Sequence, residues 1–235
     1  MPKPTRPYRE LIETMQFYGE PEVSWSRWLK QACFSGKELT ELGQFLQSKL
    51  SEGTFIDMPC GFVQQADESD CSIMDIAEQL GIAEYIEVDN SAEVLGERLQ
   101  NQVRTIGNMK VETHLADVLE FASQLEAQQG QPKRVIYISG LQPNEDFCIN
   151  SENVSAIVVP YLEALYNELE RASTVGDLLI LNETSTLVSG IDETKYPHIH
   201  PSVALNKRGF RCQRTCPFNK VQVFEKCSNT QIKEV

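Results

Sequence analysis

Two short apolar runs each end in a carboxylate and pass straight into a loop: Phe55-Ile56-Asp57-Met58-Pro59-Cys60-Gly61 and Tyr85-Ile86-Glu87-Val88-Asp89-Asn90. About one helix of sequence separates them. An open α/β sheet offers ligands the carboxyl ends of its strands in this arrangement. The loop after the first strand lets backbone approach a ligand. The acid after the second can accept hydrogen bonds from two ribose hydroxyls. The chemistry expected is the binding of an adenosine-containing cofactor.

The elements that must position these residues alternate regularly. A helix is predicted over 37–49, with Leu39, Leu42, Leu46 and Leu50 on one face, and Gly53 breaks it before the first strand. A second helix carries Ile73, Ile76, Ala77 and Leu80 and ends at Gly81. The strand 85–88 follows. Ser91 is placed to cap a helix whose buried stripe is Leu95, Leu99, Val103 and Ile106, closed by Gly107-Asn108. The strand 110–116 runs into Asp117, which also suits the N-cap of a helix holding Val118, Phe121, Ala122 and Leu125. Continuously apolar strands are expected at 135–138 and 178–181, as in strands buried on both faces. Between them lies a long helix over 153–172, in which Pro160 predicts a kink or a displaced start. The tail reads as an antiparallel pair, 210–215 with 221–225, at a sheet edge.

Composition narrows the class. The 235 residues suit one sizeable α/β domain or a domain with an appendage. A formal net charge of −13 repels polyphosphate, so no nucleic-acid substrate is expected. Lys207, Arg208, Arg211, Arg214, Lys220 and Lys226 form a local basic exception, read as solvated faces. No apolar run approaches the roughly 18 residues that span a bilayer, and the basic N-terminus has no apolar stretch behind it. Seven scattered cysteines fit reduced thiols, and a cytoplasmic location is expected.

With these residues in order, the chain resembles the class I S-adenosylmethionine-dependent methyltransferases over roughly residues 37–226. Asp57 and Gly61 match the family's first motif, an acid followed by a glycine-rich loop; Pro59 and Val63 stand where its outer glycines usually lie. Asp89, with Asn90 beside it, matches the acid after the second strand. Asp117, followed by Val118, matches the acid near the adenine amino group. Ser139-Gly140-Leu141-Gln142-Pro143 matches the loop after the fourth strand. The resemblance implies a Rossmann-like doubly wound seven-stranded sheet, mostly parallel, with a C-terminal antiparallel strand and helices on both faces. It divides the chain into an N-terminal helical or lid segment, 1–36, and a methyltransferase-like domain, 37–235.

The implied cofactor is S-adenosylmethionine, held by Asp57, Pro59, Cys60, Gly61, Asp89, Asn90, Asp117, Val118, Ser139 and Gly140. The implied reaction is methyl transfer to a small-molecule acceptor by in-line displacement at the sulfonium methyl. Gln142-Pro143-Asn144-Glu145-Asp146-Phe147 lacks the Asn/Asp-Pro-Pro-Tyr/Phe signature of amide and adenine methylation. The segment after strand five, 183–201, is long enough to be functional. It offers Glu183 as an acceptor-side carboxylate and His198 as a base or a pocket-lining residue. His198-Ile199-His200 has alternating spacing and no third ligand, so no metal is expected. The N-terminal aromatics Tyr8, Phe17, Tyr18, Trp25 and Trp28 either line a pocket or pack the first helices on the sheet. The altered glycine loop motivates one alternative, a non-catalytic methyltransferase-like binding or scaffold protein. A nicotinamide-dependent oxidoreductase is disfavoured by the missing Gly-x-Gly-x-x-Gly fingerprint. The oligomeric state is not specified by these features.

Overall fold

The structure, a computed structural model, describes residues 8–17, 26–59, 72–127, 133–139, 141–182, 186–188, 190–216 and 221–228. Its strands are β1 (Phe34–Ser35), β2 (Glu38–Leu39), β3 (Thr54–Asp57), β4 (Glu84–Asp89), β5 (Val103–Ile106), β6 (Met109–Leu115), β7 (Arg134–Ile138), β8 (Leu178–Asn182), β9 (Phe210–Cys216) and β10 (Val221–Lys226). Its α-helices are α1 (Arg9–Thr14), α2 (Ser26–Cys33), α3 (Glu41–Leu50), α4 (Ile73–Gln79), α5 (Ala92–Leu95), α6 (Val118–Gln124), α7 (Glu145–Cys148), α8 (Ser151–Asn153), α9 (Val159–Ala172) and α10 (Pro201–Lys207).

Strands β3 to β10 form one sheet in the order β5-β6-β4-β3-β7-β8-β10-β9, and β1 and β2 make a separate small hairpin. The five strands β6, β4, β3, β7 and β8 are parallel, while β5, β10 and β9 run antiparallel to their neighbours. The chain builds outward from β3 through β4 to β6, then crosses back to β7. The sheet therefore reverses its direction of growth between β3 and β7, the place where open α/β sheets bind ligands at their carboxyl ends.

The fold is the expected Rossmann-like α/β sheet, with corrections to its strand count and to two helices. The sheet has eight strands where seven were expected, because residues assigned to a helical stripe form β5. The helix capped by Ser91 lasts one turn and stops at Gly96, whose φ of +50° suits only a residue without a Cβ. A 3-10 segment then covers Gly96–Asn101. Gly107, with φ +56°, and Asn108 form the two-residue link that pairs Ile106 with Met109. That dipeptide is a hairpin turn here and not a helix stop. The start of the helix expected over 37–49 also moves: α3 starts at Glu41, capped by Thr40 Oγ1 accepting from Gly43 N at 3.1 Å, because Glu38–Leu39 is extended in β2.

Strand alternation sorts the core into two layers. Ile56, Val88, Ile136 and Leu179 face a layer built with α6, α9 and α10. Phe55, Tyr85, Val135, Tyr137 and Ile180 face the other, built with α2, α3 and α4. Each fully buried Leu or Phe side chain contributes roughly 1.5–3 kcal/mol. The helical run does not start at Pro160: α8 passes through a π-helical turn, Val154–Val158, directly into α9, with right-handed helical angles at Asn153, Val154, Val158 and Val159, and the π turn accommodates the proline's missing N–H. Among the described residues, no helix is long and apolar enough to cross a membrane, and Cys33, Cys148, Cys212 and Cys227 are free thiols.

Candidate functional site

The carboxyl ends of β3, β4 and β6 lie side by side and carry Asp57, Asp89 and the residue after β6, Asp117. Their environments differ. Asp57 is 2% exposed and shares the α4 face of the sheet with Tyr85, whose hydroxyl donates to Oδ2 at 2.5 Å. Its Oδ1 has no hydrogen-bond partner. Burial pushes the carboxyl up to about 8; the Tyr85 bond opposes this and the neighbouring Glu87 and Asp89 carboxylates reinforce it. At neutral pH Asp57 is mostly protonated.

Asp89 is nearly buried, and its Oδ1 accepts from Ser91 N at 2.9 Å. Ser91 in turn caps α5, its Oγ accepting from Val94 N at 3.3 Å. The helix cap therefore falls to Ser91. Asn90, between them, is exposed. Beneath Asp89, Glu87 is 1% exposed and binds both Arg98 (2.7 Å) and Arg104 (2.6 Å), with Thr113 Oγ1 donating to it at 2.6 Å. This cluster fastens the 3-10 segment and β5 to β4.

Asp117 caps α6: its Oδ1 accepts from Leu119 N at 2.7 Å and from Glu120 N at 3.4 Å. The Tyr161 hydroxyl of α9 donates to the same oxygen at 3.0 Å. Burial raises the Asp117 carboxyl above its ordinary value, against the Leu119 and Tyr161 bonds. Val118 is buried in the apolar layer.

A cleft of about 260 Å³ opens at this edge, lined by Asn90, Leu115, Ala116, Asp117 and Glu120 from the sheet side and by Ile12, Met15 and Phe17 from the N-terminal segment. A neighbouring hollow of about 430 Å³ shares Leu115, Ala116 and Glu120 with it. The N-terminal segment is held over the cleft at two levels. Tyr8 donates to Glu168 of α9 at 2.5 Å, a bond that pushes the Tyr8 hydroxyl up to about 12. Further on, Asn144 N donates to Gln16 O at 3.0 Å, Phe17 bridges to Pro143, and the Phe17 ring meets Tyr161 edge-on at 5.2 Å.

Of the residues singled out in the sequence, Asn90 and Asp117 line the cleft, and Asp89 adjoins it. Asp57, Pro59 and Ser139 sit at the ends of β3 and β7, on the other side of β4; Pro59 follows Met58 through a cis peptide. Cys60, Gly61, Gly140 and Glu183 lie outside the described residues, as do Tyr18 and Trp25 and the side chain of Trp28. His198 is not brought to the strand-end acids. It is half-exposed on the flank of α9, where Nε2 lies 3.4 Å from Glu163 and the ring meets Tyr196. Sequence reasoning missed Tyr85, Tyr161, Ile12 and Met15. Tyr161 falls in the helix predicted over 153–172, but nothing local marks its hydroxyl, whose partner is 44 residues away.

No family model and no curated protein matches the chain. It is similar in structure to a TehB-like SAM-dependent methyltransferase from Corynebacterium glutamicum, at 11% identity over 93% of this chain and 94% of that one, with a TM-score of 0.44. A ribosomal protein L11 methylase from Lactobacillus delbrueckii subsp. bulgaricus is similar at 15% identity over 83% and 81% of the two chains, TM-score 0.42. A Bordetella parapertussis protein is similar at 16% identity over 79% of this chain, TM-score 0.41; the chain spans 65% of that protein's length.

Proposed function

We propose that the chain is an S-adenosylmethionine-dependent methyltransferase acting on a small-molecule acceptor. The observation that carries this reading is the row of acids at adjacent strand ends. Asn90 and Asp117 line a cleft at the carboxyl ends of β4 and β6, and Asp89 adjoins it, one strand over from the switch point between β3 and β7. A nucleoside fits this donor set. Asp89 would meet the ribose hydroxyls, Asn90 and the backbone at Val118 would border the base, and Asp117 would accept from an exocyclic amine. Asp57, Pro59, Cys60, Gly61, Ser139 and Gly140 would border the amino-acid end. When bound, the cofactor supplies an electrophilic methyl on a sulfonium, so the protein's own task is alignment and exclusion of water.

Residues 1–36 serve as a lid in this reading, supported by Ile12, Met15 and Phe17 on the cleft. Glu183 would be the acceptor-side carboxylate, and His198 would serve as a base only if the acceptor must lose a proton first. The strongly acidic surface supports a small acceptor over a nucleic acid, and the free thiols support a cytoplasmic location.

Calorimetric titration with S-adenosylmethionine and S-adenosylhomocysteine, with NAD as control, tests the reading. The expected result is micromolar binding of both sulfur compounds and its loss in Asp89→Ala. A folded protein that binds neither at millimolar concentration removes the reading and leaves the scaffold alternative that Pro59 motivates.

A further inference from the structure

Every hydrogen bond made by the Asp117 carboxylate falls on one oxygen. Oδ1 takes the Leu119 and Glu120 N–H groups and the Tyr161 hydroxyl. Oδ2 takes none, and it is not among the buried polar atoms that lack a partner, so it remains accessible on a residue that lines the cleft. A carboxylate that only capped a helix would need the backbone donors alone. The third donor comes from a different helix, α9, from a tyrosine that is 0% exposed. The outer edge of that same ring carries Phe17, a cleft-lining residue of the N-terminal segment.

We propose that Tyr161 is a positioning residue for nucleoside recognition: it fixes Asp117 Oδ1 so that Oδ2 presents a single acceptor to the cleft, and through Phe17 it links that orientation to the N-terminal segment. The proposal rests on the cofactor reading above and adds to it the residue that sets base specificity. With Tyr161 in place, three donors hold Oδ1 and Oδ2 is left as the acceptor, so the site favours a ligand carrying an amine over one carrying a carbonyl at the same position. Tyr161 itself touches no ligand in this scheme. It acts only through Asp117.

The test compares two probes that differ at one atom, S-adenosylhomocysteine (6-amino) and S-inosylhomocysteine (6-oxo), in wild type and in Tyr161→Phe. That change removes one hydroxyl from a buried ring and keeps its shape. Wild type is expected to prefer the amino compound, and Tyr161→Phe to lower the preference by about fivefold, the equivalent of one ordinary hydrogen bond. Phe17→Ala is expected to weaken both compounds and to narrow their ratio in the same direction. A Tyr161→Phe variant that loses affinity for both in equal proportion, or for neither, overturns the positioning role while leaving the cofactor reading intact. Wild-type protein that binds neither compound overturns the cofactor reading and the role together.

Discussion

Asp57 and Asp177 are both almost wholly buried, 2% and 3% exposed, at opposite ends of the same sheet. Asp177 lies at the amino edge, just ahead of β8. Its carboxylate accepts from Arg134 N and Nη2, both at 3.1 Å, and from Thr174 N at 2.8 Å and Oγ1 at 3.1 Å. Arg134 also donates to the Glu126 carbonyl at 2.8 Å and to the Ala172 carbonyl. Asp57, at the carboxyl edge, has one tyrosine hydroxyl on one oxygen and nothing on the other. The amino edge compensates its buried charge, while the carboxyl edge holds polarity that the fold itself leaves unmet. Folds accept such a cost mainly where a site is kept.

The largest expected effect sharpens this contrast through pH. The folded-state value of Asp57, about 8, lies above the ordinary carboxylate range, so the native state binds a proton that the unfolded chain has released. Stability from this group is complete below about pH 4 and falls as pH rises to about 8, at roughly 1.4 kcal/mol per unit of difference, on the order of 5 kcal/mol in all. Asp57→Asn lacks this titration. Urea unfolding at pH 5, 7 and 8.5 is expected to show the variant gaining on wild type at each step. Parallel pH curves for the two proteins would mean that Asp57 is compensated after all, and the contrast with Asp177 would collapse.

Next in size is the amino edge. Arg134→Ala leaves the Asp177 carboxylate buried with its guanidinium partner gone, and a loss of about 3–5 kcal/mol is expected. Denaturant midpoints measure it. Cofactor titration should be unchanged for the protein that remains folded, since Arg134 stands at the far end of its strand. A loss below about 1 kcal/mol would show that the guanidinium adds little to the three donors that remain on Asp177.

How much of this was legible beforehand depends on how local each signal is. Asp89 and Asp117 could be placed because a strand-terminal acid followed by a capped helix is a pattern of a few adjacent residues, and Asp57 because it closes a short apolar run. Pro160 could be read as a break in regular α-helix for the same local reason, and it is met by the π-helical turn Val154–Val158. The edge strand β5 was not legible. Leu95, Leu99, Val103 and Ile106 fit a helical stripe, and what decides against it is Glu87, which captures Arg98 and Arg104 from 11 and 17 residues away. The Tyr85–Asp57 and Tyr161–Asp117 bonds span 28 and 44 residues, and no periodicity announces either. Topology could be read from apolar spacing; the protonation and orientation of the acids could not.

The smallest expected change in stability makes the finest distinction between capping and recognition. Asparagine caps a helix about as well as aspartate, so Asp117→Asn should shift stability by within about 0.5 kcal/mol. The three groups on Oδ1 are all donors, two N–H and one O–H. An amide must therefore turn its oxygen toward them and its NH2 toward the cleft. The acceptor offered to a ligand becomes a donor. Titration with the 6-amino and 6-oxo nucleosides should then show the preference inverted toward the 6-oxo compound. If stability is kept and the preference is also kept, Oδ2 meets no base, and Asp117 is a helix cap that happens to border a cleft.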